Sequence, residues 1–537
     1  MKKFAKYAMF LSALAVGFTA CDDDDNTDPD AGVTLEGIPA TAEIENLATL
    51  GPVTATITAE DGLASFTITK DGDAFLDSTF VDQPTTANVD FAYTATEADE
   101  DKNVVFEFTA TDADGDAATA THVLSVGAAE FFPNEVLSGL IESNLTLTND
   151  RIWELTGRVI VTSGNVLTIE EGTIIKGRPG DAAAASVLII ARGATIQANG
   201  TADNPIVFTS TADDIAVGEF ESTLDLKTQR GLWGGALVLG NAPISAENSE
   251  VQIEGIPESV EQGLYGGSDP ADNSGSITYV SIRFTGAELG PGNELQGLTL
   301  GGVGSGTTIS HVESINSSDD GIEIFGGTVN ISNFIVWAQD DDGFDTDQGW
   351  SGTIDNFVYI GADETDGYAW DGDHGLELDG SEGDDGNVDL VGKFRNGSLR
   401  GLTSSDFADL RDGAKYDIQN TYFFDFAVGS DIEIDAGDDD DDPRGSDNYA
   451  NDITKFIGLE FNTTDAIGVI FADKLDAAAA AANPANTRSE NEFATQIGAN
   501  ETAFATNNSV ATTATVGADV SVLAWSYAAV QGQLASF

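Results

Sequence analysis

Between residues 307 and 379 the chain repeats itself, and that repeat constrains the fold more than any other feature. His311-Val312, Asn333-Phe334 and Asn356-Phe357 fall at one shared point, 22 and then 23 residues apart. Asp320-Gly321, Asp342-Gly343 and Asp366-Gly367 mark a second, 22 and then 24 apart. A period near 22, with short β-rich runs and Gly at the corners, predicts a parallel β-helix, because one such unit cannot bury its apolar face without a neighbour stacked on it. Upstream, Leu167-Thr-Ile-Glu-Glu-Gly172 aligns with Leu188-Ile-Ile-Ala-Arg-Gly193, 21 residues on, and Ile277–Ile282 and Ala414–Phe424 extend the pattern. The crossover rule makes the coil right-handed.

The rest of the chain divides around this coil. Residues 33–128 alternate apolar and polar in four runs (Val53–Ile57, Ala64–Thr69, Val89–Tyr93, Val104–Ala110), with turns at Lys70–Asp73 and Asp112–Asp116. This predicts an antiparallel β-sandwich. Asp112, Asp114 and Asp116 suit calcium or plain turn chemistry, and turn chemistry is favoured. The β-helix is expected over 134–437. An acidic loop and terminal cap follow over 438–537, with Ala477–Ala482 and Trp525-Ser-Tyr527. Two inserts, Glu247–Ser276 and Ala362–His374, interrupt the coil; such excursions map to loops, often on a binding face.

Charge narrows the function. The chain carries 22 Lys+Arg against 91 Asp+Glu, a net −69. Such a field repels phosphate backbones and excludes nucleic acid as a partner. It serves solubility and attracts cations. The single cysteine, Cys21, excludes an intrachain disulfide. Residues 1–20 read as a signal peptide: Lys2, Lys3 and Lys6, then an apolar run too short to remain as a spanning helix.

Phe18-Thr19-Ala20-Cys21 resembles the lipobox of bacterial lipoproteins, with Phe18 in place of the usual Leu. The resemblance implies lipidation at Cys21. The tether 21–32, opening with Asp22–Asp25, is similar to the surface-export signal of Bacteroidota lipoproteins, which implies the outer face of the outer membrane. The hairpin between Phe106–Ala110 and Thr119–Val126 resembles the final hairpin of bacterial immunoglobulin-like or cadherin-like modules, which implies such a module over 33–128. Leu167–Gly177, Gly234–Ile244, Ile253-Glu-Gly255 with Tyr265-Gly-Gly267, Leu298–Gly306, and Asp319–Glu323 with Phe325–Val329 look like the β-helix lipoproteins of Bacteroidota. That resemblance implies fold and location and carries over no catalytic residue.

The expected fold is therefore all-β: an immunoglobulin-like β-sandwich, then a right-handed parallel β-helix with a C-terminal cap. Coils about 4.8 Å apart would stack Asp320, Asp342 and Asp366 as like charges, with Asp319, Asp341, Asp345 and Glu377 beside them. Calcium, which takes oxygen ligands in flexible geometry, is the expected cofactor. Tyr368, Trp370 and Trp350 are candidate ligand-binding rings for a glycan, with core packing as the competing reading. His311 and His122 lack partners at metal spacing and read as structural.

The favoured function is a non-enzymatic binding or interaction module on the outer-membrane surface, with glycan or outer-membrane protein partners. The alternative is a β-helix glycoside hydrolase or polysaccharide lyase using Asp320, Asp341, Asp342 and His374. Their order resembles that of β-helix polygalacturonases, although Asp373 replaces the first Gly of Gly-His-Gly and no Arg-x-Lys follows.

Overall fold

The computed structural model describes residues 32–45, 48–99, 102–127, 133–180, 185–288, 295–362, 364–382, 390–402, 406–437 and 441–537. Cys21, the signal peptide, nearly all of the tether and Asp438–Asp440 lie outside the described residues. The chain divides into two units, Met1–Glu130 and Phe131–Phe537.

The first unit is a β-sandwich. One sheet orders Thr34–Glu36, Thr49–Thr58 and Thr86–Thr94; the other orders Thr41–Glu45, Ala117–Gly127, Asn103–Asp112, Leu63–Lys70 and Asp73–Thr79. Alternation places Phe66, Phe91, Phe106 and Phe108 between the sheets. Asp71 and Gly72 both take positive φ, which a two-residue hairpin turn requires. Asp112 Oδ1 accepts the backbone N–H groups of Asp114, Gly115 and Asp116 at 2.9–3.1 Å, so this carboxylate is committed to its own turn. His122 is buried, with Nδ1 2.7 Å from the Pro39 carbonyl.

Among the described residues, the second unit winds one 26-stranded sheet into a parallel β-helix. Its strands stack into three faces. Face A begins with 135–137 and ends with Glu460–Asn462 and Ser509–Val510, while 139–141 stacks on 159–161 of face B. Face B runs from 158–161 through Ala236–Leu239, Ile322–Phe325, Phe344–Asp347 and His374–Leu378 to Phe471–Asp473. Face C runs from Leu145–Leu147 to Lys455–Ile457. Register makes the core a set of columns. On face C, Ile277, Ile309, Ile331, Ile354, Phe394, Ile418 and Phe456 sit one above another, each 4% exposed or less. Burial contributes roughly 1.5–3 kcal/mol per side chain of this size.

The first repeat point in the sequence is a corner. Tyr279, His311, Asn333, Asn356, Asn396 and Asn420, between faces C and A, all take φ of 51–59°. Asn tolerates the left-handed region better than most residues, and stacked amides satisfy each other there. Asn356 Nδ2 donates to Asn333 Oδ1 at 2.7 Å, and Asn333 Nδ2 to Ser310 Oγ at 3.3 Å. His311 stacks on Tyr279 at 4.4 Å, a structural role.

Three expectations need correction. Leu167 stacks on Ile196 of face C, while Leu188 stacks on Val159 of face B, so the 21-residue alignment matches equivalent corners on different faces. Asp366 is not in the Asp320–Asp342 stack: His374 takes that place, because Gly321 N–H donates to the Asp342 carbonyl and Gly343 N–H to that of His374. The coil also does not stop at 437. All three faces continue to residues 457–473, and Ser509–Val510 adds a rung to face A.

The end of the coil is closed by the helix Glu490–Asn507, whose Phe504 stacks on Phe471 at 4.9 Å. Ser489 and Glu492 form its capping box. Residues 511–537, which hold Trp525 and Tyr527, instead return along the outside of face A.

The corner geometry yields a prediction. Asn333→Val should lower unfolding free energy in urea by about 2 kcal/mol, since a β-branched residue is strained at positive φ. Asn333→Gly should lose only the side-chain hydrogen bonds and less stability.

Candidate functional site

One outward-facing column of face B changes character along the coil. It reads Ile160, Ile189, Leu237, Thr299, Glu323, Asp345, Glu377, Asp409, Glu433, each paired in register with the next. The apolar members are covered by the first insert. Its hairpin, Val251–Gln252 with Leu264–Tyr265, packs Ile253, Ile256 and Tyr265 over Ile160, Ile189 and Leu237. From Glu323 onward the column is acidic for five successive rungs.

The first cluster joins Asp320, Glu323 and Asp345, whose oxygens lie within 4.8 Å of one another. Asp320 and Glu323 are each 6% exposed. Asp320 Oδ1 accepts the Asp342 N–H at 3.0 Å, but Glu323 Oε2 and Asp345 Oδ1 are buried without a hydrogen-bond partner. Burial, and then the neighbouring carboxylates, push all three well above the usual carboxylate range. Asp319 and Asp341 form a second group with Asp320. Loss of hydration and the charges of Asp342, Asp373 and Asp340 push Asp341 up to about 6.

The next rung holds Asp342, His374 and Glu377, again within 4.8 Å of one another. Asp342 is 1% exposed, and its Oδ1 lies 2.9 Å from His374 Nδ1 and 2.7 Å from the His374 N–H. Burial alone would raise Asp342; hydrogen bonds from His374 and Glu377 outweigh it and hold the carboxyl below its ordinary value. Burial and the hydrogen bond to Asp342 push Glu377 up to about 10. Burial opposes the charge on His374, yet Asp342 brings that ring to about 9. Asp342 and Glu377 thus share a proton through their mutual hydrogen bond and titrate as one pair. Arg411 pairs with Glu377 and, through Nε, with Asp409 at 2.8 Å. A further group of Asp409, Glu433 and Asp435 continues down the coil, with Lys474 paired to Glu433.

Of the residues singled out from sequence, Asp319, Asp320, Asp341, Asp342, Asp345, His374 and Glu377 come together on this face. Asp366 does not: it sits exposed in the second insert, where its carbonyl accepts the Lys227 ammonium. The three candidate ligand-binding aromatics are packed rather than presented. Trp350 is a core residue, 1% exposed, with Nε1 donating to the Val329 carbonyl at 3.2 Å. Tyr368 and Trp370 pack outside face A, where the Tyr368 hydroxyl accepts Trp337 Nε1 at 3.0 Å and Arg230 lies over the Trp370 ring. Sequence reasoning missed Glu323, Asp379, Asp409 and Glu433. The signal for Glu323 was present in the parallel triplets Gly321-Ile-Glu, Gly343-Phe-Asp and Gly375-Leu-Glu.

The family described as pectate-lyase like beta helix domain matches residues 139–522, and the chain belongs to it. Neither the curated proteins nor the solved structures yielded a match.

A carboxyl with a higher pKa folded than unfolded stabilises most below its unfolded value, and that contribution is lost as pH rises through the folded value. Asp341 at about 6 and Asp379 at about 7 place this loss between roughly pH 4 and 7. In chelator, the thermal midpoint should therefore fall from pH 5 to pH 8, and Asp379→Asn should flatten that slope.

Proposed function

We propose that this protein is a lipid-anchored, surface-exposed binding module of the outer membrane whose acidic face binds calcium. One observation carries the cation reading: Glu323, 6% exposed and with Oε2 unpartnered, converges with Asp320 and Asp345. A buried carboxylate without a partner is costly, and a shared cation removes the cost. Two oxygens bound to one calcium lie at most about 5 Å apart, which the clusters satisfy, and an all-oxygen donor set suits calcium over softer metals.

Anchoring rests on the lipobox resemblance at Cys21 and the acidic tether. No helix among the described residues is long and apolar enough to cross a membrane. With Trp350, Tyr368 and Trp370 buried, glycan contact in this reading runs through the bound cation rather than through aromatic stacking.

Titration calorimetry on the metal-free chain should show calcium binding in the range of about 0.1–1 mM typical of extracellular modules. Glu323→Gln and Asp345→Asn should each weaken it at least tenfold. No heat at several millimolar calcium would retire the cation reading.

A carbohydrate-active enzyme is the second reading, and the Asp342–Glu377 pair favours it: two hydrogen-bonded carboxyls beside His374 can hold and pass a proton. Reducing ends released from a glycan panel, and lost in both Asp342→Asn and Glu377→Gln, would establish it over a purely binding role.

A further inference from the structure

The outside of face A is occupied by the chain's own C-terminal segment, and the contact is ordered residue by residue. One outward column of this face reads Ser281, Glu313, Ile335, Val358, Ser398, Tyr422, Glu460. Three of its polar members, Glu460, Ser398 and Glu313, take backbone N–H groups of residues 515–528 in reverse order along the coil. Glu460 accepts the Thr515 N–H at 2.6 Å, Ser398 Oγ accepts that of Ala518 at 2.9 Å, and Glu313 accepts those of Tyr527 and Ala528 at 2.8 and 3.1 Å. From the adjacent corner, Asn356 exchanges two hydrogen bonds with the Asp519 backbone.

Between these polar rungs the groove is apolar. Ile315, Ile335, Trp337, Val358 and Ile360 meet Leu523, Tyr527 and Ala528, all 2% exposed or less. Arg283, fully buried, lies with its guanidinium 4.1 Å from the Tyr527 ring centre. Side chains that grip main-chain amides, alternating with apolar contacts, are the means by which a groove recognises a peptide. The connection into the segment is exposed at Thr512–Thr515.

We propose that face A is a peptide-binding groove whose resident ligand is residues 513–537, and that it accepts the same segment from a second copy of this chain. The proposal is independent of the cation reading. The groove holds the segment by contacts spread over coils from Arg283 to Glu460, so docking requires the coil to be already wound. The segment closes the structure rather than nucleating it.

The test uses the full-length chain carrying a protease site between Thr512 and Thr513, and a fluorescent synthetic peptide of residues 513–537. After cleavage the resident segment should co-elute with the coil, and the labelled peptide should exchange into it saturably while the β-sheet circular dichroism stays unchanged. Uptake should be at least tenfold weaker in Glu313→Gln. It should also weaken in Ser398→Ala, which removes one acceptor and serves if the Glu313 variant does not fold. Loss of the sheet signal on cleavage would show that the segment is integral core and overturn the proposal. So would a failure of the peptide to bind cut protein, or binding that both variants leave unchanged.

Discussion

Parallel stacking at about 4.8 Å per coil sets every other property of this protein. In a β-helix each residue lies directly above its counterpart one turn earlier, so a choice made at one position is multiplied along the axis. Inside, multiplication is favourable: columns such as Ile277–Ile309–Ile331–Ile354 bury apolar area continuously, with no layer boundary at which packing must restart. At corners it is favourable when the stacked residues satisfy one another, as Asn333 and Asn356 do. Outside, it is costly whenever the repeated residue is charged.

The outward columns resolve that cost in different ways. On face B the apolar early rungs are roofed by the hairpin insert, while later rungs carry carboxylates that cannot all ionise together. Protons relieve the crowding at Glu377 and Asp379, Arg411 relieves it at Glu377 and Asp409, and Glu323 with Asp345 is left with unpartnered oxygens. Those buried oxygens without a hydrogen-bond partner separate this face from a merely solvated acidic surface. On face A the outward column has an apolar middle, Ile335 and Val358, flanked by polar rungs, and the C-terminal segment lies across them. Its backbone amides meet Glu460, Ser398 and Glu313, and its apolar side chains meet Ile335 and Trp337.

Much of this was legible from residues alone. The period near 22, with short β-rich runs and Gly at the corners, gives the coil. The triplets Gly-Ile-Glu, Gly-Phe-Asp and Gly-Leu-Glu mark the acidic column, although reading the Asp-Gly pairs instead drew Asp366 into a stack it does not join. The error has a physical source: the second insert carries its own Asp-Gly turn, and a turn inside a loop looks in sequence like a turn at a coil corner.

Sequence by itself determined the fold class, the sandwich before the coil and the face on which acids gather, since these follow from local alternation and a short repeat. Tertiary structure decided what faces what. It placed Trp350 in the core and Tyr368 and Trp370 under cover, substituted His374 for Asp366 beside Asp342, and brought residues 515–528 onto a column that holds Glu313, Ser398 and Glu460. Those outcomes depend on the length of each insert and on contacts across more than two hundred residues, as from Glu313 to Tyr527. No local pattern encodes such distances; they are fixed only when the coils stack.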